Sequence, residues 1–285
     1  MKFGVSSYSF SKYIKSTHCD YIKICDMAKE MGYDGIEFIN LDHSDFNITT
    51  DPIACAREIK AHCERIGLEV IAYTVGGNLF AEDRQAEIER LKGCVDVCAE
   101  LGAKVMRHDV CFALPSKYLY GWQDVIKELA PAIREITEYA RTKGVRTCIE
   151  NHGRILQASE RVEALIREVG NDNYGWLVDM GNFLCVDEDP KHAVSIAAPY
   201  AFHVHAKDFL FKDGSLPRPQ GFFGTAGGNH IRGTVVGHGI VPVLSCMRIL
   251  KEKGYDGWLS LEFEGAEDTE FALKAGLHFL KNAQV

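Results

Sequence analysis

Four short strings each place a group able to ligate a metal at the end of an apolar run. Glu150 stands in CIENHG, Asp179 in LVDMGN, His203 and His205 in FHVHAKD, and Glu262 in LSLEFEG. One such residue alone says little, because an aspartate after an apolar run commonly caps the next helix and a strand histidine is commonly a satisfied core residue. Four in equivalent places say more, since carboxylates drawn together without a cation repel one another. Three carboxylates and one imidazole form a mostly hard oxygen set. That set points to one divalent ion, Mn²⁺ first, with Mg²⁺, Co²⁺ or Zn²⁺ also accommodated.

Such convergence requires the four runs to be neighbouring strands of one sheet, and the rest of the chain supplies that pattern. The string GYDG occurs at Gly32–Gly35 and again at Gly254–Gly257, each time after a helical pattern rich in Lys and before an apolar run. Glycine permits the left-handed turn that ends a helix, and a nearby Lys suits the helix dipole. CERIGLEVIAYTV, CAELGAKVMRHDV and ARTKGVRTCIENH repeat the device with other letters. Counting forward, strands are expected at Phe3–Ser7, Gly35–Phe38, Glu69–Tyr73, Lys104–His108, Arg146–Glu150, Gly175–Asp179, Phe202–Ala206 and Trp258–Glu262. Ala81–Leu101 and Trp122–Lys143 are the clearest helices, and Thr50-Asp51-Pro52 and Ser159 read as helix starts.

Strands alternating with helices imply parallel β-α units, and eight units suit a closed (β/α)8 TIM barrel spanning 1–285 as one domain. An open doubly wound sheet calls for a Gly-rich phosphate turn after the first strand, and SSYSFSKY is not one. Period-two alternation puts His203 and His205 on one face, with His205 nearer the C-terminal mouth and so the favoured ligand. After the seventh strand, residues 209–239 are rich in Gly, Pro and aromatics. A long loop or short hairpin over the barrel mouth is expected there, acting as a lid on the substrate.

The totals exclude several classes. The 285 residues carry a net charge of -8 and no Lys/Arg block, which argues against nucleic acid or a membrane surface as partner. The start MKFGVSSYSF runs straight into a strand pattern, and no apolar stretch is long enough to span a bilayer. The 10 cysteines sit singly without a C-x-x-C, as buried thiols in a reducing compartment would, so a cytoplasmic location is expected. A homo-oligomer is compatible with all of this.

Taken together, CIENHG, VDMGN, HVHAKD and GYDGWLSLEFEG resemble the sugar isomerase/epimerase superfamily with the xylose-isomerase-like barrel. That superfamily includes ketose 3-epimerases, hydroxypyruvate isomerases, inosose dehydratases and an endonuclease branch. The resemblance implies Glu150, Asp179, His205 and Glu262 as metal ligands, with Glu150 and Glu262 also acting as acid and base on a sugar. The implied reaction is isomerisation or epimerisation of a sugar or keto-sugar through an enediolate. The alternative is a lyase of the inosose dehydratase or keto-glycoside-cleaving type using the same enolate. An endonuclease would need more His ligands, and a non-catalytic sugar-binding protein would not need the intact ligand set.

Five further residues are expected around a carbohydrate substrate. Glu37 ends the second strand and would face the mouth, to bind a sugar hydroxyl or cap a loop. His152 is a proton carrier or a loop residue. Asn182 stands where ketose epimerases place a substrate-binding histidine, a departure from the pattern for simple ketoses. Lys207 would steady an oxyanion or pair with Asp208, and Arg232 would hold a hydroxyl or phosphate. His108 and His238 are weaker candidates.

Overall fold

The computed structural model describes residues 1–41, 51–111 and 121–283. Eight parallel strands close into a barrel: β1 (Lys2–Ser6), β2 (Gly35–Ile39), β3 (Glu69–Val75), β4 (Val105–His108), β5 (Arg146–Glu150), β6 (Tyr174–Asp179), β7 (Ala201–Ala206) and β11 (Trp258–Leu261). β11 pairs with both β7 and β1, which completes the ring. The expected strands are all present, with no end shifted by more than two residues and the fifth strand matched at both ends. Between β7 and β11 lies a separate antiparallel sheet of β8 (Asp208–Lys212), β9 (Phe223–Gly224) and β10 (His230–Thr234), in the order β8-β10-β9. No described helix is long and apolar enough to cross a membrane.

The helices begin and end as local chemistry dictates. α1 (Ser11–Thr17) and α2 (Tyr21–Met31) precede β2. α3 (Pro52–Ile66) starts with Asp51 accepting from the Ile53 and Ala54 N–H groups and Pro52 in the first turn. Thr50, the other half of that expected start, lies outside the described residues. α4 (Arg84–Leu101) begins three residues later than expected, where Asp83 caps the Ala86 N–H. α5 (Trp122–Thr142) buries Val125, Ile126, Leu129, Ile133, Ile136 and Ala140, the three-and-four spacing of one helix face against the barrel. α6 (Ser159–Val169) corrects an expectation: Ser159 is its first helical residue and not its cap. The Ser159 backbone N–H and hydroxyl both donate to Glu188, so a carboxylate from another loop outcompetes the local capping bond. α7 (Pro190–Ala197), α8 (Val243–Glu252) and α9 (Thr269–Lys281) complete the shell.

The repeated GYDG string has two physical roles. Gly32 (φ 91°) and Gly254 (φ 87°) take the left-handed turn after α2 and α8. Gly35 lies inside the barrel, where an added Cβ would come within 2.5 Å of Ile71. The bore is filled below the mouth by Ala72, Val105, Cys148 and Leu177, with Phe202 packed against them. A second, much larger apolar layer lies between strands and helices and holds Trp176, Phe38 and Tyr33. Strands buried on both faces explain why their sequences read as apolar runs rather than strict alternation.

The 209–239 segment is an anchored sheet. Asp208, fully buried, accepts from the backbone N–H groups of Phe209, Gly237, Gly239 and Val241, which ties both ends of the insertion together. Its far end is held by Asp187, in the loop after β6, which accepts from Thr225 Oγ1, the Gly227 N–H and Asn229 Nδ2. Thr234 Oγ1 donates to Glu267 in the loop after β11. The sheet therefore stands beside the mouth, bound to the rims of β6 and β11.

Candidate active site

Each of the four strand-end groups is placed by its strand. Glu150 and Asp179 are the last residues of β5 and β6, His205 is the next to last of β7, and Glu262 directly follows β11. Asp179 is the register partner of His205, and His205 of Ser260. One ligand atom from each of the four lies within 4.8 Å of the others, and all four residues are buried. His205 Nδ1 is 3.6 Å from Asp179 Oδ2, 3.6 Å from Glu262 Oε2 and 3.8 Å from Glu150 Oε1. His205 Nδ1 has no hydrogen-bond partner, and Asp179 Oδ2 has only the Lys207 ammonium, 3.1 Å away and not aligned as a hydrogen bond. A buried ring nitrogen without a partner is costly, and here it converges with three carboxylates on one point, so the donor set fits a divalent cation.

Each carboxylate is also held from behind. Asp179 Oδ1 accepts from the Gly181 and Asn182 N–H groups at 2.8 Å. Asn151 fixes the ends of β5 and β6 together: its Oδ1 accepts from Trp176 Nε1 and the Asp179 N–H, and its Nδ2 donates to the Asp179 carbonyl. Glu150 Oε2 pairs with Arg107 at 2.8 Å, and its Oε1 accepts from Asn182 Nδ2 at 3.0 Å. Glu262 Oε2 pairs with Lys207 at 2.5 Å. Burial pushes both glutamates up. The opposing cations win: Arg107 and then His205 hold Glu150 well below the usual range, and Lys207 and then His205 hold Glu262 at about 2. Both are ionised at neutral pH.

A cavity of about 310 Å³ opens directly onto this cluster. Besides Glu150, His205 and Glu262, its walls include Tyr8, Thr74, Arg107, Asp109, His152, Lys207 and Glu264. His152 Nδ1 lies 3.4 Å from Asp109 Oδ1, which leaves Nε2 as the free nitrogen. Asp109 is itself held at 2.8 Å by Arg107.

Several expectations are corrected. Glu37 does not face the mouth. It is fully buried in the bore, with Oε2 2.7 Å from His203 Nε2 and Oε1 2.8 Å from His205 Nε2. The His203 contact is an aligned hydrogen bond, whereas the His205 contact is an ion-pair distance without that alignment. Lys207 does not pair with Asp208, whose carboxylate is turned to backbone N–H groups; it pairs with Glu262 and Asp179. Asn182 is buried behind the cluster, bridging Glu150 and Lys207. Arg232 pairs with Glu267 and stacks on Phe222, and no residue of 209–239 is among those lining the cavity. His108 points outward against Tyr174, and His238 lines a different depression beside α8 and α9.

Sequence reasoning passed over Arg107, Asp109, Glu264 and Asn151. Arg107 had a signal. With Val105 facing the bore, alternation puts Arg107 inward and His108 outward. Glu264 carried the same signal two residues past Glu262.

With this geometry in place, the comparisons with known proteins give the class. The chain belongs to the xylose isomerase-like TIM barrel family, whose model matches residues 25–283. It is 27% identical over 172 residues to an inosose dehydratase of Yersinia enterocolitica, covering 58% of this chain and 56% of that protein. The chain thus spans about half the length of the first curated relatives it matches. Among solved structures, the D-psicose 3-epimerase of Clostridium cellulolyticum H10 superposes with a TM-score of 0.75 at 16% identity over 99% of both chains. The IOLI protein, solved with a bound zinc atom, superposes with a TM-score of 0.74 at 17% identity, over 99% of this chain and 98% of that one. At such identities the structural likeness speaks to the fold.

Proposed function

We propose that this chain is an enzyme that removes a proton beside the carbonyl of a keto-sugar or cyclic polyol ketone, with Glu150, Asp179, His205 and Glu262 holding one divalent ion, Mn²⁺ by preference. When bound, such an ion offsets the negative charge that grows on the carbonyl oxygen as the proton leaves. The observation that carries the reading is the meeting of four buried ligand groups, one of them an imidazole with an unpartnered nitrogen, at the floor of a 310 Å³ cavity. A cavity of that size takes a single sugar ring or cyclitol.

Within this chemistry we favour elimination over epimerisation. His152 stands on the cavity wall with Nδ1 directed to Asp109 and Nε2 free to take the proton. Glu150 is pinned by Arg107, and Glu262 carries a cation on its oxygen whether Lys207 or the divalent ion holds it, which keeps both carboxylates in place and lowers their basicity. The Lys207 ammonium, beside Glu264 on the cavity wall, can give a proton to a departing hydroxyl so that it leaves as water. Lys207 and Arg107 line the cavity and supply positive charge to substrate oxygens. The similarity to inosose dehydratases supports this outcome. Epimerisation or isomerisation, with Glu150 and Glu262 as the acid and base on opposite faces, is the second reading, supported by the placement of both glutamates on the cavity.

One assay separates the two. The Mn²⁺-loaded protein is incubated in D₂O with a panel of keto-sugars and inososes, and followed by NMR and by ultraviolet absorbance. Formation of a conjugated enone or dione with loss of water is expected, and should vanish in His152→Ala. Deuterium incorporation without loss of water, unaffected by His152→Ala and abolished by Glu262→Gln, would establish the second reading. No exchange and no elimination with any of them would sink both.

A further inference from the structure

Lys207 touches the same two oxygen atoms that face the histidine of the cluster. Its Nζ lies 2.5 Å from Glu262 Oε2 and 3.1 Å from Asp179 Oδ2. Those are the oxygens that stand 3.6 Å from His205 Nδ1. The ammonium is buried, with Lys207 only 5% exposed, and Asn182 Oδ1 lies 3.2 Å away on its other side. A third carboxylate waits further out: Glu264 Oε2 is 3.9 Å from Nζ, on the cavity wall. Among the described residues, Lys207 is the cation within ion-pair distance of Glu264.

We propose that Lys207 is an internal counter-cation that competes with the divalent ion for Asp179 Oδ2 and Glu262 Oε2, and that Glu264 is its alternative partner when the ion takes those oxygens. The inference rests on reading the four residues as a cation site. Two positive charges cannot share the same pair of oxygens without strong repulsion, least of all in a buried setting where charges are poorly screened. The lysine stem has four rotatable carbons, so its head can change partners without moving β7. Glu264 needs only a shift of about an ångström to become a direct partner. The exchange has a chemical result as well. It carries the ammonium from the floor of the cavity to its wall, where substrate oxygens would lie.

The test is a titration with Mn²⁺ after removal of metals by a chelator, with free Mn²⁺ read by electron paramagnetic resonance. Wild type, Lys207→Met, Glu264→Gln and the double variant are compared, together with their melting temperatures in chelator and in Mn²⁺. Lys207→Met is expected to bind Mn²⁺ at least about tenfold more tightly, because the competitor is gone. It should melt lower than wild type in chelator and recover in Mn²⁺. Glu264→Gln should weaken Mn²⁺ binding severalfold in the wild-type background and have little effect in the Lys207→Met background, since it acts through the lysine. Should Lys207→Met not fold in chelator, folding on addition of Mn²⁺ supports the proposal, and Lys207→Gln provides the affinity. If wild type binds Mn²⁺ and both lysine variants bind it equally or more weakly, the competition does not exist and only this proposal falls. An equal loss from Glu264→Gln in both backgrounds overturns the role of Glu264. If none of the four proteins binds Mn²⁺, the cation site itself is wrong and this proposal falls with it.

Discussion

Replacing Arg107 by Met is the most informative change to make next to the cluster. Arg107 is 8% exposed and pairs at 2.8 Å with both Glu150 and Asp109, two carboxylates that are themselves buried. Methionine retains much of the volume but leaves two buried negative charges facing each other. Breaking a buried pair by removing one partner costs about 3–5 kcal/mol. In a protein of this size each kcal/mol lowers the melting temperature by roughly 2–3 °C, so Arg107→Met should melt roughly 6–15 °C below wild type. The attribution to charge is tested by a double change. If the cost comes from the orphaned carboxylate, Glu150→Gln should recover part of it, giving an interaction energy of roughly 0.5–3 kcal/mol in the cycle. Differential scanning calorimetry on the four proteins in chelator gives all of these quantities. A melting point within 2 °C of wild type for Arg107→Met, at the stated cost per degree, would refute the reasoning. So would strict additivity with Glu150→Gln, which would mean that the guanidinium serves packing alone.

Other outcomes follow from the same structure. Asp208→Ala strips four backbone N–H groups of their acceptor, so hydrogen exchange at Gly237, Gly239 and Val241 should accelerate by at least about tenfold while amides of β5 and β6 keep their protection. Leu177 fills the bore with no exposed surface, and Leu177→Ala should cost about 2–5 kcal/mol in urea unfolding with little change in slope. Asp187 is depressed below its usual value: burial raises it, but the bonds from Asn229, Thr225 and Gly227 outweigh that. Its contribution is therefore present above the unfolded carboxylate pKa and is lost as pH falls through the lower folded value, so proteolysis within 223–229 should rise selectively below about pH 4. Unchanged cleavage between pH 6 and pH 3 would contradict that anchor.

How much of this was legible in the sequence depended on distance along the chain. The β-α units were readable because helix, left-handed glycine and strand follow one another within a few residues, as in KEMGYDGIEF. The meeting of Glu150, Asp179, His205 and Glu262 was readable because consecutive parallel strands turn equivalent ends to one rim. Glu37 was misplaced because a strand-end carboxylate and a bore-lining carboxylate look identical in sequence. What decides is the register of β2 against β1 and β3, and β2 carries a register shift against β3 between Ile36 and Glu37. The partner of Lys207 was missed for a related reason. Asp208 is adjacent in sequence, but β7 ends at Ala206 and β8 begins at Asp208, so the two side chains leave the backbone in different directions. The anchoring of 209–239 depends on Asp187 and Glu267, contacts that no local pattern announces.

The filled bore has a consequence for traffic. Ile71 occupies the space that side chains at Gly4 and Gly35 would take, Phe202 does the same at Gly175, and above them lie Ala72, Val105, Cys148 and Leu177. The barrel is thus a well with a floor and not a tube. Whatever reaches the cluster descends past Tyr8 and His152, and whatever is made there climbs out by the same shaft. A ligand seated on the cluster therefore stands in the path of the next. On the proposed reaction, product that lingers there keeps out fresh substrate, so inhibition by product should be competitive.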